Sequence, residues 1–429
     1  MTVWPVTPPS PLYEVLSREV FTALPLMGTD SADVVVIGGG VAGLSAAWHL
    51  HEAGQNVALL EAGTVGCGAS GRNNGQIIPT LTRHDPMAIK AIWGEETGEH
   101  FLLMLEKSAD LLYDVVNRYN IDCDLVQRGW FQPAHSPGRV RAVALRAEQW
   151  QRRGVDAAVL SRQDVLQHLG GGDYAGGWWH SRGGHFNPLA FVRGFARNLV
   201  ETGVRIYEHS PALTFQRYGK NWIVHSKNGK IVCKKIVCTT GAYTSSLWKG
   251  LSKTIVPVTS YQFSTSSLGS SGADILPYNE ACSDTRNDLR YFRKDREGRL
   301  ITGGALAIQA LAHKRLGRKV RGLIAKTFPR LTTFDLSYFW EGRIAMTPDR
   351  LPHLHSSGDG LVAWIGCNGR GLALSMGMGA VVRDVVLEKK STELALPLTP
   401  LSPIHLHGVI RRSARMLMPY YRCRDKMEV

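Results

Sequence analysis

The sequence predicts a mixed α/β chain in which a doubly wound, mainly parallel domain is interleaved with a mainly antiparallel α+β domain. Three observations predict it. Residues 31–61 read as strand, glycine turn, helix and strand. Two later apolar runs, 235–238 and 361–365, each lead into a small-residue turn. Between them lie alternating stretches and a hairpin pattern at 289–306. With 429 residues the chain exceeds the usual size of one hydrophobic core, which favours two domains.

The first stretch organises the rest. Four apolar residues, 34–37, run into Gly38-Gly39-Gly40-Val41-Ala42-Gly43; a helical pattern lasts to Gly54, and a second apolar run, 57–60, stops at Glu61 and Ala62. In a dinucleotide site Gly38 permits the tight turn, Gly40 lets the backbone approach a pyrophosphate, and Gly43 lets helix and strand pack closely. Free N–H groups at the helix N-terminus face the phosphates. Glu61, 18 residues past Gly43, suits a ribose hydroxyl. This context makes the pattern a Rossmann-like fingerprint.

Composition narrows the class. With 44% hydrophobic residues and 45 glycines the chain is globular. The first 25 residues carry Pro5, Pro8, Pro9 and Pro11 and no apolar core, and no run approaches the ~18 apolar residues of a membrane span, so a cytoplasmic protein is expected. Seven scattered cysteines without a CxxC pair suggest neither a disulfide framework nor a zinc site, and His353/His355 and His405/His407 lack an evident third ligand; no metal is expected. The net charge of +14 is concentrated at 313–321 and 411–422, which fits solvated helix faces, peripheral contact with an anionic membrane, or RNA.

Along the chain, residues 1–30 read as an arm packed on the outside. The segment Gly66-Cys67-Gly68-Ala69-Ser70-Gly71-Arg72-Asn73-Asn74-Gly75-Gln76 is too rich in small polar residues for a core element and suits a second wrap around a pyrophosphate and an attached ring. Helical periodicity is predicted over 86–119 and 138–169, the latter ended by Gly170-Gly171-Gly172. Asn187-Pro188 suits the start of a helix to 203, followed by a strand to 207. Thr239-Thr240-Gly241-Ala242 and Gly366-Cys367-Asn368-Gly369-Arg370-Gly371 are the two later turns, the second opening a helix over 372–387.

The fingerprint, Glu61 and GCGASGRNNGQ together resemble the FAD-dependent amino acid oxidase (D-amino acid oxidase-like) family, in particular its γ-glutamylputrescine oxidase branch. Trp340-Glu341-Gly342-Arg343 followed by Thr347-Pro348-Asp349 is similar to the family's return motif. The resemblance implies a discontinuous FAD-binding domain (31–115, 183–254 and 340–392), a substrate domain (116–182 and 255–339), the arm, and a basic tail at 393–429. It implies FAD contacts from Gly38, Gly40, Val41, Ala42, Gly43, Glu61, Ala62, Ala69, Ser70, Arg72, Asn73, Asn74, Gly75, Gln76, Thr240, Gly241, Gly342, Arg343, Gly366, Asn368, Gly369, Arg370 and Gly371.

The implied chemistry is hydride removal from a carbon bearing an amine, giving an imine that water hydrolyses. Arg343 is the candidate grip for a substrate carboxylate, or else a structural partner of Glu341 or Asp349. Tyr261, Tyr291 and Trp340 are candidate aromatic walls, or core residues. Two departures from relatives stand out: Ile301 occupies the position of a lysine used with oxygen, and Ile344-Ala345-Met346 lacks the cysteine that attaches FAD. Noncovalent FAD is therefore expected, with oxygen or a membrane quinone as acceptor and peripheral association with the inner membrane as an option. The substrate reading is γ-glutamylputrescine-like, with L-pipecolate, proline or sarcosine as alternatives. A tRNA-modifying relative makes RNA a remote alternative, but no RNA-reading aromatics are evident, so no nucleic-acid partner is expected.

Overall fold

A computed structural model describes residues 11–306, 311–413 and 417–428. Two eight-stranded sheets carry the fold. In the first, strand Gly28–Ile37 runs parallel to Val57–Leu60 on one side and to Gly229–Cys238 on the other. Arg205–Tyr207 extends the sheet in parallel beyond Val57–Leu60, and Leu361–Ile365 does so beyond Gly229–Cys238. The four central residues Val34–Ile37 are buried on both faces, as a parallel strand between helical layers requires. Helices Val41–Glu52 and Gly371–Val386 pack against each other over this sheet.

The register brings the sheet's chemistry to one edge. Ile37 pairs with Leu60 and with Cys238, and Cys238 pairs with Ala363. The turns that follow these strands, at 38–43, 61–63, 239–242 and 366–371, therefore emerge side by side at the carboxyl end, where ligands bind in open parallel sheets.

The second sheet runs Leu336–Met346, Val256–Ser267, Arg299–Gly304, Tyr291–Lys294, Ala281–Ser283, Trp130–Ala134, Gly176–His180 and Ala157–Leu160. All its pairs are antiparallel except Ala281–Ser283 with Trp130–Ala134. The hairpin is present as Tyr291–Lys294 and Arg299–Gly304, turning at Gly298 with φ 71°. Met346 pairs with Val256 and Trp340 with Gln262. By pairing, residues 340–346 thus belong to the second sheet, which corrects a boundary expected at 340.

Three further expectations change. The helix expected over 86–119 is broken at Gly94 (φ 84°) into Pro86–Trp93 and Glu95–Arg118. The helix expected over 138–169 is two helices, Pro137–Gln151 and Arg162–Leu169, around strand Ala157–Leu160; Gly170 ends the second in a left-handed turn. The arm does not lie on the outside throughout. Helix Pro11–Leu16 sinks Leu12, Tyr13 and Leu16 into the largest hydrophobic cluster. Residues 1–10 lie outside the described residues.

Candidate active site

Between the carboxyl edge of the parallel sheet and the antiparallel sheet lies a cavity of about 970 Å³. The predicted residues Gly38, Gly40, Val41, Ala42, Glu61, Ala62, Ala69, Ser70, Arg72, Asn73, Asn74, Gln76, Thr240, Gly241, Gly342, Arg343, Gly366, Asn368, Gly369, Arg370, Gly371 and Tyr291 all line it.

The fingerprint turn is held from three directions. Gly38 has φ 113°, and Thr239 Oγ1 donates to the Ile37 carbonyl at 2.9 Å. The Gly39 N–H donates to Glu61 Oε2 at 2.6 Å, and the Gly63 N–H to Glu61 Oε1 at 2.9 Å. Burial raises the Glu61 pKa, opposed by those two backbone donors. A side chain at Gly43 would overlap the Gly38 carbonyl oxygen, so this glycine sets the helix–strand approach and does not line the cavity. At Gly40 an added Cβ would meet only Ser70 Oγ, at 2.6 Å. That hydroxyl accepts the first helical N–H, from Val41.

The second wrap is built around Arg72. Its Nε donates to the Cys67 carbonyl at 2.7 Å and its Nη1 to the Glu341 carbonyl at 3.1 Å. Its buried Nη2 has no hydrogen-bond partner among the described residues. Asn73 folds back on the loop, donating to Ala69 and Ser70 and accepting from the Gly75 N–H. Gly75 itself stands off the cavity, at φ 84° and packed under the Phe186 carbonyl. Gln76 reaches across to the second sheet, donating to the Cys282 and Phe292 carbonyls.

At the late turn Asn368 is a scaffold residue. It adopts φ 49°, accepts the Thr347 N–H at 2.9 Å, and donates to the Gly366 and Leu351 carbonyls. Its side chain is thereby committed to holding the turn against the Thr347-Pro348-Asp349 segment. Arg370 behaves differently. Its residue is 8% exposed, its guanidinium lies 5.0 Å from the Trp130 ring, and it makes no ion pair with a carboxylate among the described residues. Burial pushes it down to about 9, and the neighbouring Arg146 charge adds to this. Since guanidinium keeps its proton, the physical meaning is a destabilised cation facing a cavity.

Arg343 also lines the cavity, with its guanidinium 5.7 Å from the Tyr243 ring. Of the acids weighed as its structural partners, Glu341 is exposed and Asp349 accepts from His353 Nε2 at 2.8 Å. Tyr291 is a cavity residue, its hydroxyl accepting from Gln262 Nε2 at 2.8 Å and donating to the Tyr261 carbonyl at 3.3 Å. Gln262 in turn accepts from Asn74 Nδ2 at 3.1 Å. Tyr261 and Trp340 are not cavity walls. The Tyr261 ring stacks on Phe339 at 5.8 Å, and Trp340 donates to the Arg72 carbonyl at 2.8 Å while its ring meets Tyr13 at 5.2 Å.

Residues 33–385 match the model of the DAO family, described as FAD dependent oxidoreductase. The chain belongs to that family. It is 31% identical to a probable oxidoreductase OrdL of Haemophilus influenzae, over 85% of this chain and 84% of the relative. It is 28% identical to the gamma-glutamylputrescine oxidoreductase of Escherichia coli, over 93% of this chain and 94% of the relative. Its fold is similar to that of an L-proline dehydrogenase from P. horikoshii, with a TM-score of 0.72 at 19% identity over 85% of this chain and 95% of the other.

Membership makes the chain an FAD-dependent enzyme, and its own residues fit that cofactor. The orphaned Arg72 Nη2 on the wall calls for an acceptor, and residues of both glycine turns line the same cavity. The N-terminus of helix Val41–Glu52 faces the same space, with Val41 and Ala42 on the cavity wall. Three contributors carried no local sequence signal: Tyr13 of the arm, Gln262, and Tyr421 near the end of the chain, of which Gln262 and Tyr421 line the cavity. Gln262 alternates with its strand neighbours in an ordinary β pattern, and Tyr13 bonds to Asn73 and Arg293, far away in sequence.

Proposed function

We propose that the chain oxidises the C–N bond of an amine or amino acid that bears a carboxylate, with a γ-glutamylputrescine-like molecule as the leading substrate. One observation carries this reading: Arg72, Arg343 and Arg370 share the wall of one cavity that begins at the dinucleotide turns and ends among polar residues of the second sheet. Noncovalently bound FAD supplies the hydride acceptor. Glu61 takes ribose hydroxyls, while Arg72 and the Gly38–Gly43 turn take the pyrophosphate.

The remaining residues orient and enclose. A guanidinium grips a carboxylate through two N–H donors, so Arg343 or Arg370 fixes the substrate's acid end. The Asn74–Gln262–Tyr291 chain presents a neutral, hydrogen-bonded wall that leaves the amine in its uncharged, reactive form. Burial raises the Tyr291 hydroxyl's pKa, so it serves as a donor or acceptor and not as a base. Water exclusion and fixed geometry then carry the rate.

The acceptor is read as a quinone or other non-oxygen carrier, because Ile301 is fully buried, uncharged and off the cavity wall. An anaerobic screen of amines for bleaching of the bound flavin tests the substrate. Reduction by γ-glutamylputrescine supports the leading reading, and reduction only by L-pipecolate, proline or sarcosine replaces it. Stoichiometric peroxide in air would overturn the choice of acceptor.

A further inference from the structure

The basic tail returns to the cavity. The backbone is tied down as it comes back, with the Thr399 N–H on the Leu354 carbonyl at 2.8 Å and the Ile404 N–H on the Lys253 carbonyl at 2.9 Å. His407 Nε2 reaches the Ile255 carbonyl at 2.9 Å. Ile404 and Ile410, the latter in helix His407–Ser413, then line the cavity.

Helix Leu417–Met427 goes further, because its contacts join two different rims of that cavity. One rim is the loop before strand Tyr291–Lys294. Asp425 accepts from the Asn287 N–H at 2.9 Å, from Asn287 Nδ2 at 2.7 Å and from the Asp288 N–H at 2.9 Å. Arg422 Nε donates to Asp288 Oδ2 at 2.8 Å. The other rim is helix Pro137–Gln151, from which Arg139 forms a two-pronged ion pair with Glu428. Arg139, Asn287 and Asp288 all line the cavity, and Tyr421, next to Arg422 on the helix, lines it too.

We propose that the C-terminal helix is the gate of the substrate cavity and that Tyr421 is the side chain limiting what passes it. The attachment suits a gate. None of the helix's described side chains is fully buried, and the contacts that hold it at the rim are half-buried polar pairs such as Arg422 with Asp288 and Arg139 with Glu428. Segments held in this way open without unfolding the body of the protein. The basic residues of the tail have a role here as well: Arg422 pairs with Asp288, and Arg424 approaches Glu428 at 3.4 Å.

The inference rests on the cavity being the flavin site proposed above, and it does not depend on which amine is oxidised. The test uses the full-length, FAD-loaded enzyme, the variant Tyr421→Ala, and the double variant Asp425→Asn/Glu428→Gln. Sulfite, which adds to oxidised flavin, reports access to the ring without any substrate. The double variant is expected to bleach about tenfold faster, with its flavin content and melting temperature close to those of the parent. Tyr421→Ala is expected to shift kcat/KM about tenfold toward bulkier amines over smaller ones. Unchanged sulfite rates in the double variant together with an unchanged size ranking in Tyr421→Ala would overturn the proposal. If no amine reduces the flavin, the substrate reading fails and the sulfite comparison still decides the gate.

Discussion

Arg293 Nη2 donates to the phenolic oxygen of Tyr13 at 3.0 Å, joining the N-terminal arm to the antiparallel sheet at a fully buried point. Tyr13 passes the connection on, its hydroxyl donating to the Asn73 carbonyl at 2.9 Å, and Arg293 Nε donates to the adjacent Asn74 carbonyl. The arm thus buttresses the loop that carries Arg72. Tyr13→Phe keeps the ring and removes the hydroxyl, leaving a buried N–H and a carbonyl unsatisfied, at a cost of about 1–3 kcal/mol. The measurable outcomes are a lower melting temperature and weaker FAD binding by equilibrium titration.

The two fingerprint glycines are expected to differ in sensitivity. At Gly43 the added methyl meets backbone, the Gly38 carbonyl, which cannot move without separating helix from strand. At Gly40 it meets the Ser70 hydroxyl, a side-chain end that can rotate away. Gly43→Ala should therefore yield protein without flavin, whereas Gly40→Ala should retain flavin at reduced affinity. Absorbance of the purified variants near the flavin bands reads both.

Arg370 is an uncompensated cation on the cavity wall, so its replacement should have opposite effects on binding and stability. Arg370→Met relieves the burial of a charge and is expected to leave the melting temperature unchanged or raised. It should cost about 100-fold or more in kcat/KM for a carboxylate-bearing amine, the order expected when a charge-assisted bidentate contact is lost. The decarboxylated analogue should lose far less. Equal losses on both substrates would assign Arg370 to the flavin instead.

Acid stability should reflect Glu99. Hydrogen bonds from Arg153 and Lys90 lower its pKa to about 2. A carboxyl depressed in the folded state binds fewer protons there than in the unfolded state, so its contribution is fully present above pH 4.5 and is lost as pH falls toward 2. Glu99→Gln should lower the melting temperature at pH 7, and the difference from the parent should shrink through that acid window.

What was legible in the sequence was local. The turns at 38–43 and 366–371 announce themselves because strand, small-residue turn and helix follow one another within a few residues, the segment 66–76 because it is too rich in small polar residues for a core element, and each has residues on the cavity wall. Strand Ala157–Leu160 was hidden because it is short, half exposed and flanked by two amphipathic helices whose pattern runs through it. Arg370 and Arg343 are equally conspicuous as residues, and only packing against Trp130 reveals that the former is buried without a carboxylate. The contacts of the arm and the tail were hidden for a shared reason. Their partners, Arg293 and Arg139, lie hundreds of residues away, and composition records charge without recording what it meets.

The level alignment of strand ends in the parallel sheet has a consequence for how the enzyme is made. Gly28–Ile37 finds its neighbour Gly229–Cys238 only once residue 238 has been made, and Leu361–Ile365 joins the sheet only once residue 365 has. The fingerprint, although it leaves the ribosome early, has no finished cradle to offer until then. Flavin capture is accordingly a late event, and a chain truncated before residue 361 is expected to emerge colourless however intact its first βαβ unit.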